Sequence, residues 1–148
     1  MTKQISLKTK FGWISAFEKK GEIVKIQFGK VNKQKRSNLL IKCKKNIKNF
    51  FNKKNSNINI PHNLDGNQTQ KRVWGELKKI KKGHVKSYGE IAKKFKISPR
   101  YVGKICSQNK LLLVVPCHRV IRTDGSLGGF TSNGGVNLKK KLLDFEKN

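Results

Sequence analysis

A chain of 148 residues is long enough for one ordinary domain, or for two small lobes that share a core. Its 35 basic side chains against 8 acidic ones leave a formal charge of +27, which excludes an acidic surface and draws the chain to a polyanion, above all nucleic acid. Part of the lysine excess is what an AT-rich genome places on solvated faces, so the total is no count of DNA contacts. No apolar stretch approaches membrane-spanning length, and Met1-Thr2-Lys3-Gln4 lacks the apolar core of a secretory signal. Cys43, Cys106 and Cys117 cannot all pair. With His62, His84 and His118 scattered, no zinc-ligand spacing arises. These features lead us to expect reduced thiols, a cytoplasmic location, and neither metal nor membrane.

The first lobe, residues 1–63, reads as strands and one helix. Phe11 to Phe17 and Ile23 to Phe28 carry partly alternating apolar residues, separated by a turn signal at Lys19-Lys20-Gly21. Leu39, Leu40, Cys43, Ile47, Phe50 and Phe51 recur at helical spacing and predict an amphipathic helix over 38–53, with Cys43 as core packing. The polar stretch Asn55 to Gln70 joins this lobe to a second, residues 64–148. There a helix with Thr69 as its cap places Val73, Trp74, Leu77 and Ile80 on one face and ends at Gly83. Trp74 reads as core rather than as a base-stacking residue.

Ser87-Tyr88-Gly89-Glu90 has capping-box spacing and opens a short helix, and Ser98-Pro99 caps another running to about Gln108. Two short capped helices with a tight link form the pattern of a helix-turn-helix, whose second helix meets DNA. The apolar run Leu111 to Val115 reads as a buried strand, with Pro116-Cys117-His118-Arg119-Val120 at its mouth. An isolated cysteine is commonly structural, but cationic and hydrogen-bonding neighbours favour the thiolate, and the motif marks Cys117 as a nucleophile. Thr123-Asp124-Gly125 is a turn. Gly128 to Gly135 forms a glycine-rich loop able to approach a ligand closely, or a plain linker. Leu138 to Glu146 closes the chain as a helix.

The order of helix pair, Asn109, apolar run, Pro-Cys-His-Arg-Val, glycine loop and final Leu-Leu-x-x-Glu resembles the methylated-DNA–protein-cysteine methyltransferases, or O6-alkylguanine-DNA alkyltransferases. The resemblance covers about residues 68–146 and is specific at its central motif. It implies an α/β fold, with a small strand-rich N-terminal lobe and a mostly helical C-terminal lobe containing the helix-turn-helix. It implies single-turnover repair, in which a guanine is flipped from the duplex and its O6-alkyl group moves onto Cys117; activity on O4-methylthymine stays open. No cofactor is implied, since the alkyl group comes from DNA. The partner is double-stranded DNA carrying O6-alkylguanine, and a monomer is expected.

The same resemblance assigns His118 as a base acting through a water, Glu146 as its orienter and Asn109 as a brace for the nucleophile loop. Adjacent side chains on an extended segment point to opposite faces, which disfavours direct proton abstraction from Cys117 by His118. Tyr88 would donate to the departing guanine and approach its 3′ phosphate, or be a packing residue. Arg100 would fill the vacated stack, or contact a phosphate. Gly103 keeps a small residue in the DNA-facing helix. The carbonyls of Cys117 and Val120 would read the guanine amino group, Phe130 would cover the ring, and the amide of Thr131 would face O6. Tyr101, where the family has a small alanine, Lys110 in place of a proline, and a longer segment before Glu146 depart from the pattern. The alternative is a non-catalytic alkylated-DNA-binding protein that recruits other repair factors, although proteins of that kind lack the cysteine. A plain helix-turn-helix regulator would leave the motif without purpose.

Overall fold

The computed structural model describes residues 2–52, 58–130 and 134–147. The fold is α/β, with a strand-rich N-terminal part and a mostly helical C-terminal part, as the resemblance implies. It divides into two compact units, Met1–Leu64 with Lys110–Val114, and Asp65–Asn109 with Val115–Asn148.

In the first unit, β1 (Thr2–Thr9), β2 (Gly12–Lys19) and β3 (Glu22–Phe28) form an antiparallel sheet in that order. The pairs Ile5↔Ala16 and Leu7↔Ile14 bring buried side chains opposite one another, so the core fixes the register. Lys19 pairs with Glu22, leaving Lys20 and Gly21 as a two-residue turn with φ of 51° and 78°. Both values are positive, as a tight hairpin requires, and Lys20 adopts the left-handed region at a cost of about 1 kcal/mol.

Helix α1 (Asn38–Phe51) starts where Ser37 Oγ accepts from Leu40 N, while the same hydroxyl donates to Glu18. Leu40, Cys43, Ile47, Phe50 and Phe51 are its buried residues. Each such aliphatic or aromatic side chain contributes about 1.5–3 kcal/mol when removed from water.

In the second unit α2 (Gln68–Leu77) is capped by Asn67 in a reciprocal capping box with Gln70, not by Thr69, which lies inside the first turn. Asn67-x-x-Gln70 satisfies two orphan amides at once, which a cap at Thr69 would not. The helix also stops at Leu77, ahead of the expected Gly83, with Lys79 and Ile80 continuing as turns. Trp74 is core: its Nε1 donates to Ile105 O at 3.1 Å.

The capping box and the serine cap expected next are present. Ser87 and Glu90 open α3 (Tyr88–Phe95), and Ser98 with Pro99 opens α4 (Pro99–Ser107). Lys96 in the left-handed region ends α3, and three residues join it to α4. A parallel pair of short strands, β4 (Lys86–Ser87) and β5 (Val120–Ile121), and a closing helix α5 (Gly135–Lys147) complete the unit. Among the described residues no helix is long and apolar enough to cross a membrane.

Candidate active site

The apolar run before the cysteine is not the strand that its composition suggests. Leu111 makes a single bridge, to Ile26, and the chain then turns, with Leu113 at φ 72°. The Val115 carbonyl explains the departure. It accepts from Cys117 N at 2.8 Å and from Asn109 Nδ2 at 2.8 Å, so no neighbouring strand takes it. Cys117–Arg119 accordingly forms one 3₁₀ turn, not an extended segment. Successive side chains on such a turn diverge by about 120°, so Cys117 and His118 still face different ways, for a different reason.

Asn109, buried at the end of α4, joins the loop to its nucleophile. The Nδ2 that holds Val115 O also donates to Cys117 Sγ at 3.3 Å. Behind the cysteine His118 Nε2 meets Glu146 Oε2 at 2.9 Å, both side chains being fully enclosed. That contact leaves Nδ1 as the ring nitrogen facing away from the carboxylate. Glu146 is held in turn by Arg119, whose Nε and Nη2 donate to its two oxygens at 2.9 and 2.7 Å and whose Nη1 donates to Ile80 O at 2.7 Å. Arg119 thus ties the turn after Cys117 to α5 and to the residues after α2.

Cys117 also borders a cavity of about 520 Å³, a volume suited to a small organic ligand. Tyr88, Arg100, Gly103, Cys106, Gly128 and Phe130 line it as well. Arg100 is exposed in the first turn of α4. A Cβ added to Gly103 would meet Tyr88 at 4.0 Å, an ordinary contact, so packing alone does not demand glycine there. Gly128 differs: its φ is 73°, and a Cβ would lie 3.0 Å from the Tyr88 ring and 3.1 Å from its hydroxyl. His118, Glu146, Asn109 and Val120 lie outside the cavity lining. Val120 is wholly buried in β5, and its N–H donates to Cys117 O. Thr131 lies outside the described residues.

Two participants escape the sequence reading. One is Arg119, visible in the motif but without an assigned partner. The other is Lys139 of α5, entirely buried, whose Nζ donates to Tyr88 Oη at 3.3 Å and Gly129 O at 3.2 Å. A lysine spaced with Leu142, Leu143 and Glu146 on one helix face was the available signal.

Charge in the site follows from burial and partners. Burial pushes the Cys117 thiol up, opposed by the Asn109 hydrogen bond and the Lys139 charge, so the resting group is a thiol. The motif's own His118 and Arg119 do not supply the cation; Lys139 does. Burial also raises Tyr88 to about 12 and lowers Lys139 to about 8. His118 is lowered by burial despite Glu146, which keeps the imidazole unprotonated and open to a proton at neutral pH. Burial opposes the charge of Glu146, but hydrogen bonds from His118 and Arg119 prevail and hold it at about 2. Cys43 and Cys106 are both raised to about 12, chiefly by burial.

Residues 68–148 match the family model for the DNA-binding domain of 6-O-methylguanine DNA methyltransferase. A methylated-DNA–protein-cysteine methyltransferase of Metallosphaera sedula is 37% identical over 139 residues, covering 92% of this chain and 87% of that protein. One from Sulfolobus acidocaldarius is 46% identical over 98 residues, covering 66% of this chain and 61% of that protein. Among solved structures, Mycobacterium tuberculosis OGT in complex with DNA superposes with a TM-score of 0.84 at 26% identity, over 97% of this chain and 92% of that one. With a domain match over its C-terminal half, a relative aligned along nearly its whole length and this fold, the chain belongs to the methylated-DNA–protein-cysteine methyltransferase family.

Proposed function

We propose that this protein repairs DNA by moving the alkyl group of O6-alkylguanine onto its own Cys117, once per molecule. The observation that carries the reading is the placement of Cys117. Cys117 borders a cavity of a size for a small organic ligand while Asn109 donates to its sulfur, and a neutral His118 paired with Glu146 lies within the same turn. In the reaction the thiol proton passes through a water to His118 Nδ1, and the imidazolium is stabilised by Glu146. The sulfur attacks the alkyl carbon, the C–O6 bond breaks, and its electron pair leaves with guanine. Tyr88 supplies the compensating proton to a ring nitrogen. Lys139 donates to the phenol oxygen, which leaves the phenol hydrogen to be given to the base.

The helix pair α3 and α4 serves as the DNA-reading element, with Arg100 entering the stack as the base swings out and Phe130 covering the extruded ring. The relative solved in complex with DNA supports DNA as the partner, and a duplex is the form from which a base would have to be extruded. A thioether on Cys117 offers no leaving group that ordinary thiols displace, so each molecule is consumed by one transfer. Intact-mass measurement after incubation with methylguanine DNA tests this. One added methylene per molecule on the Cys117 peptide is expected, with Cys117→Ala inert yet still DNA-binding. Label on Cys43 or Cys106, or repeated turnover, would overturn it.

A further inference from the structure

The first unit carries a second concave surface that the alkyl-transfer chemistry does not use. It has a volume of about 670 Å³ and is lined by residues of that unit alone. One wall is a stripe of α1, where Ile41, Lys44, Lys45 and Lys48 fall at i, i+3, i+4 and i+7 and so share a face. Lys8 of β1 and Arg36 ahead of α1 add two further cations to the lining, and Trp13 of β2 an indole. Lys30 adds a further ammonium, 4.6 Å from the Trp13 ring centre. No carboxylate lines the groove, and the only acids before residue 65 are Glu18 and Glu22. Among the described residues no ion pair engages Lys8, Arg36, Lys44, Lys45 or Lys48.

The wall opposite α1 is held in place. Ser6 N donates to Gln34 Oε1 at 3.0 Å and Lys35 N to Gln4 O at 2.8 Å, which fixes the segment carrying Arg36 against the edge of β1.

We propose that this groove binds the phosphodiester backbone of DNA, as a contact site separate from the alkyl-acceptor cavity. Cations clustered in a concavity without a carboxylate suit a backbone of regularly spaced single negative charges. The α1 stripe extends about 10 Å, and duplex DNA carries one phosphate per about 3.4 Å of each strand, so several phosphates fall within its reach. A lipid surface fits less well. Ile41 is the one large exposed apolar residue described in this unit, which leaves little to insert among acyl chains. The choice of DNA over other polyanions rests on the family reading; the groove itself does not.

The full-length protein tests the proposal through the salt dependence of its binding to unmodified duplex DNA. Lys44→Glu/Lys45→Glu/Lys48→Glu should lower the slope of log affinity against log salt by about 2 to 3, at about 0.9 for each phosphate no longer neutralised. Lys3→Glu/Lys19→Glu/Lys25→Glu makes the same charge change outside the groove and should lower it by less than about 1. The corresponding lysine-to-glutamine triples repeat the comparison without introducing repulsion. Cys117 alkylation by a free O6-alkylguanine, followed by mass, reports separately on the acceptor cavity and should be unchanged in every variant. Equal slope reductions in the two triples, or a wild-type slope in the groove triple, would overturn the proposal. So would loss of binding to anionic phospholipid vesicles with the DNA slope intact.

Discussion

Arg119 and Glu146 meet edge to edge, the guanidinium placing one donor on each carboxylate oxygen at 2.9 and 2.7 Å while its third arm reaches Ile80 O. The pair is buried, and the same Oε2 that accepts from Arg119 also meets His118. Glu146 is thereby held in one orientation by a residue that touches neither the thiol nor the cavity. Arginine suits this position because its planar fork matches a carboxylate, which an ammonium cannot do.

Arg119→Lys should therefore be costly in spite of its retained charge. Removing one partner of a buried, hydrogen-bonded ion pair costs about 3–5 kcal/mol, and lysine should restore only a minor part. Urea unfolding measures this. Loss below about 1 kcal/mol would show that the fork adds nothing beyond a charge.

Stability should fall with acid in two windows. Glu146 has a folded value of about 2, below its unfolded value near 4.5, so its contribution is complete above about 4.5 and is lost as the pH drops toward 2. The loss is on the order of 3 kcal/mol. His118 is also lowered in the folded protein, so the unfolded chain takes up its proton first and stability declines below about 6.5. Denaturant melts across pH should show both declines, and Glu146→Gln should flatten the lower one. A flat profile in the wild type would contradict the assigned ionisation states.

Lys139 and Tyr88 should act as a unit. Tyr88→Phe removes the donor, and Lys139→Met removes both the group that orients it and the charge that favours the Cys117 thiolate, so the double variant should be slower than Tyr88→Phe alone but lose less than the product of the two single losses. Single-turnover rates on methylguanine DNA supply the cycle. Fully multiplicative losses would separate the two residues.

Arg100 provides the sharpest separation of DNA handling from chemistry. Arg100→Ala should slow repair in duplex DNA far more than reaction with a free methylguanine-like base, which has no stack to leave. Arg100→Lys should recover only part, because an ammonium restores charge but not a stacking plane. Equal losses on both substrates would rule out a role in extrusion, and full recovery by lysine would reduce Arg100 to a phosphate contact.

Much of this arrangement was legible in the chain because it is written in local chemistry. Ser87 with Glu90, and Ser98 with Pro99, spell their helix starts in adjacent residues. What misled were segments governed by distant partners. Leu111 to Val115 has the composition of a strand, yet Asn109 and Cys117 take the Val115 carbonyl that a ladder would need. Strand β1 went unread because only Ile5 and Leu7 mark its inner face, and its pairing with β2 supplies the rest. Thr69 and Asn67 are both acceptable caps, and only the Gln70 side chain decides between them. The thiol's environment was read from its sequence neighbours, whereas Lys139 arrives from a helix more than twenty residues later.

The depth of Cys117 bears on what the protein ignores. Only 5% exposed and kept in its uncharged form by burial, the sulfur is a poor target for peroxides, small disulfides and stray electrophiles, which react with accessible thiolates. On the proposed single transfer, any such encounter would waste the molecule. Latency is then as much a requirement as reactivity. The enclosure that makes this sulfur hard to ionise also keeps it unspent until a ligand of the right shape fills the cavity beside it.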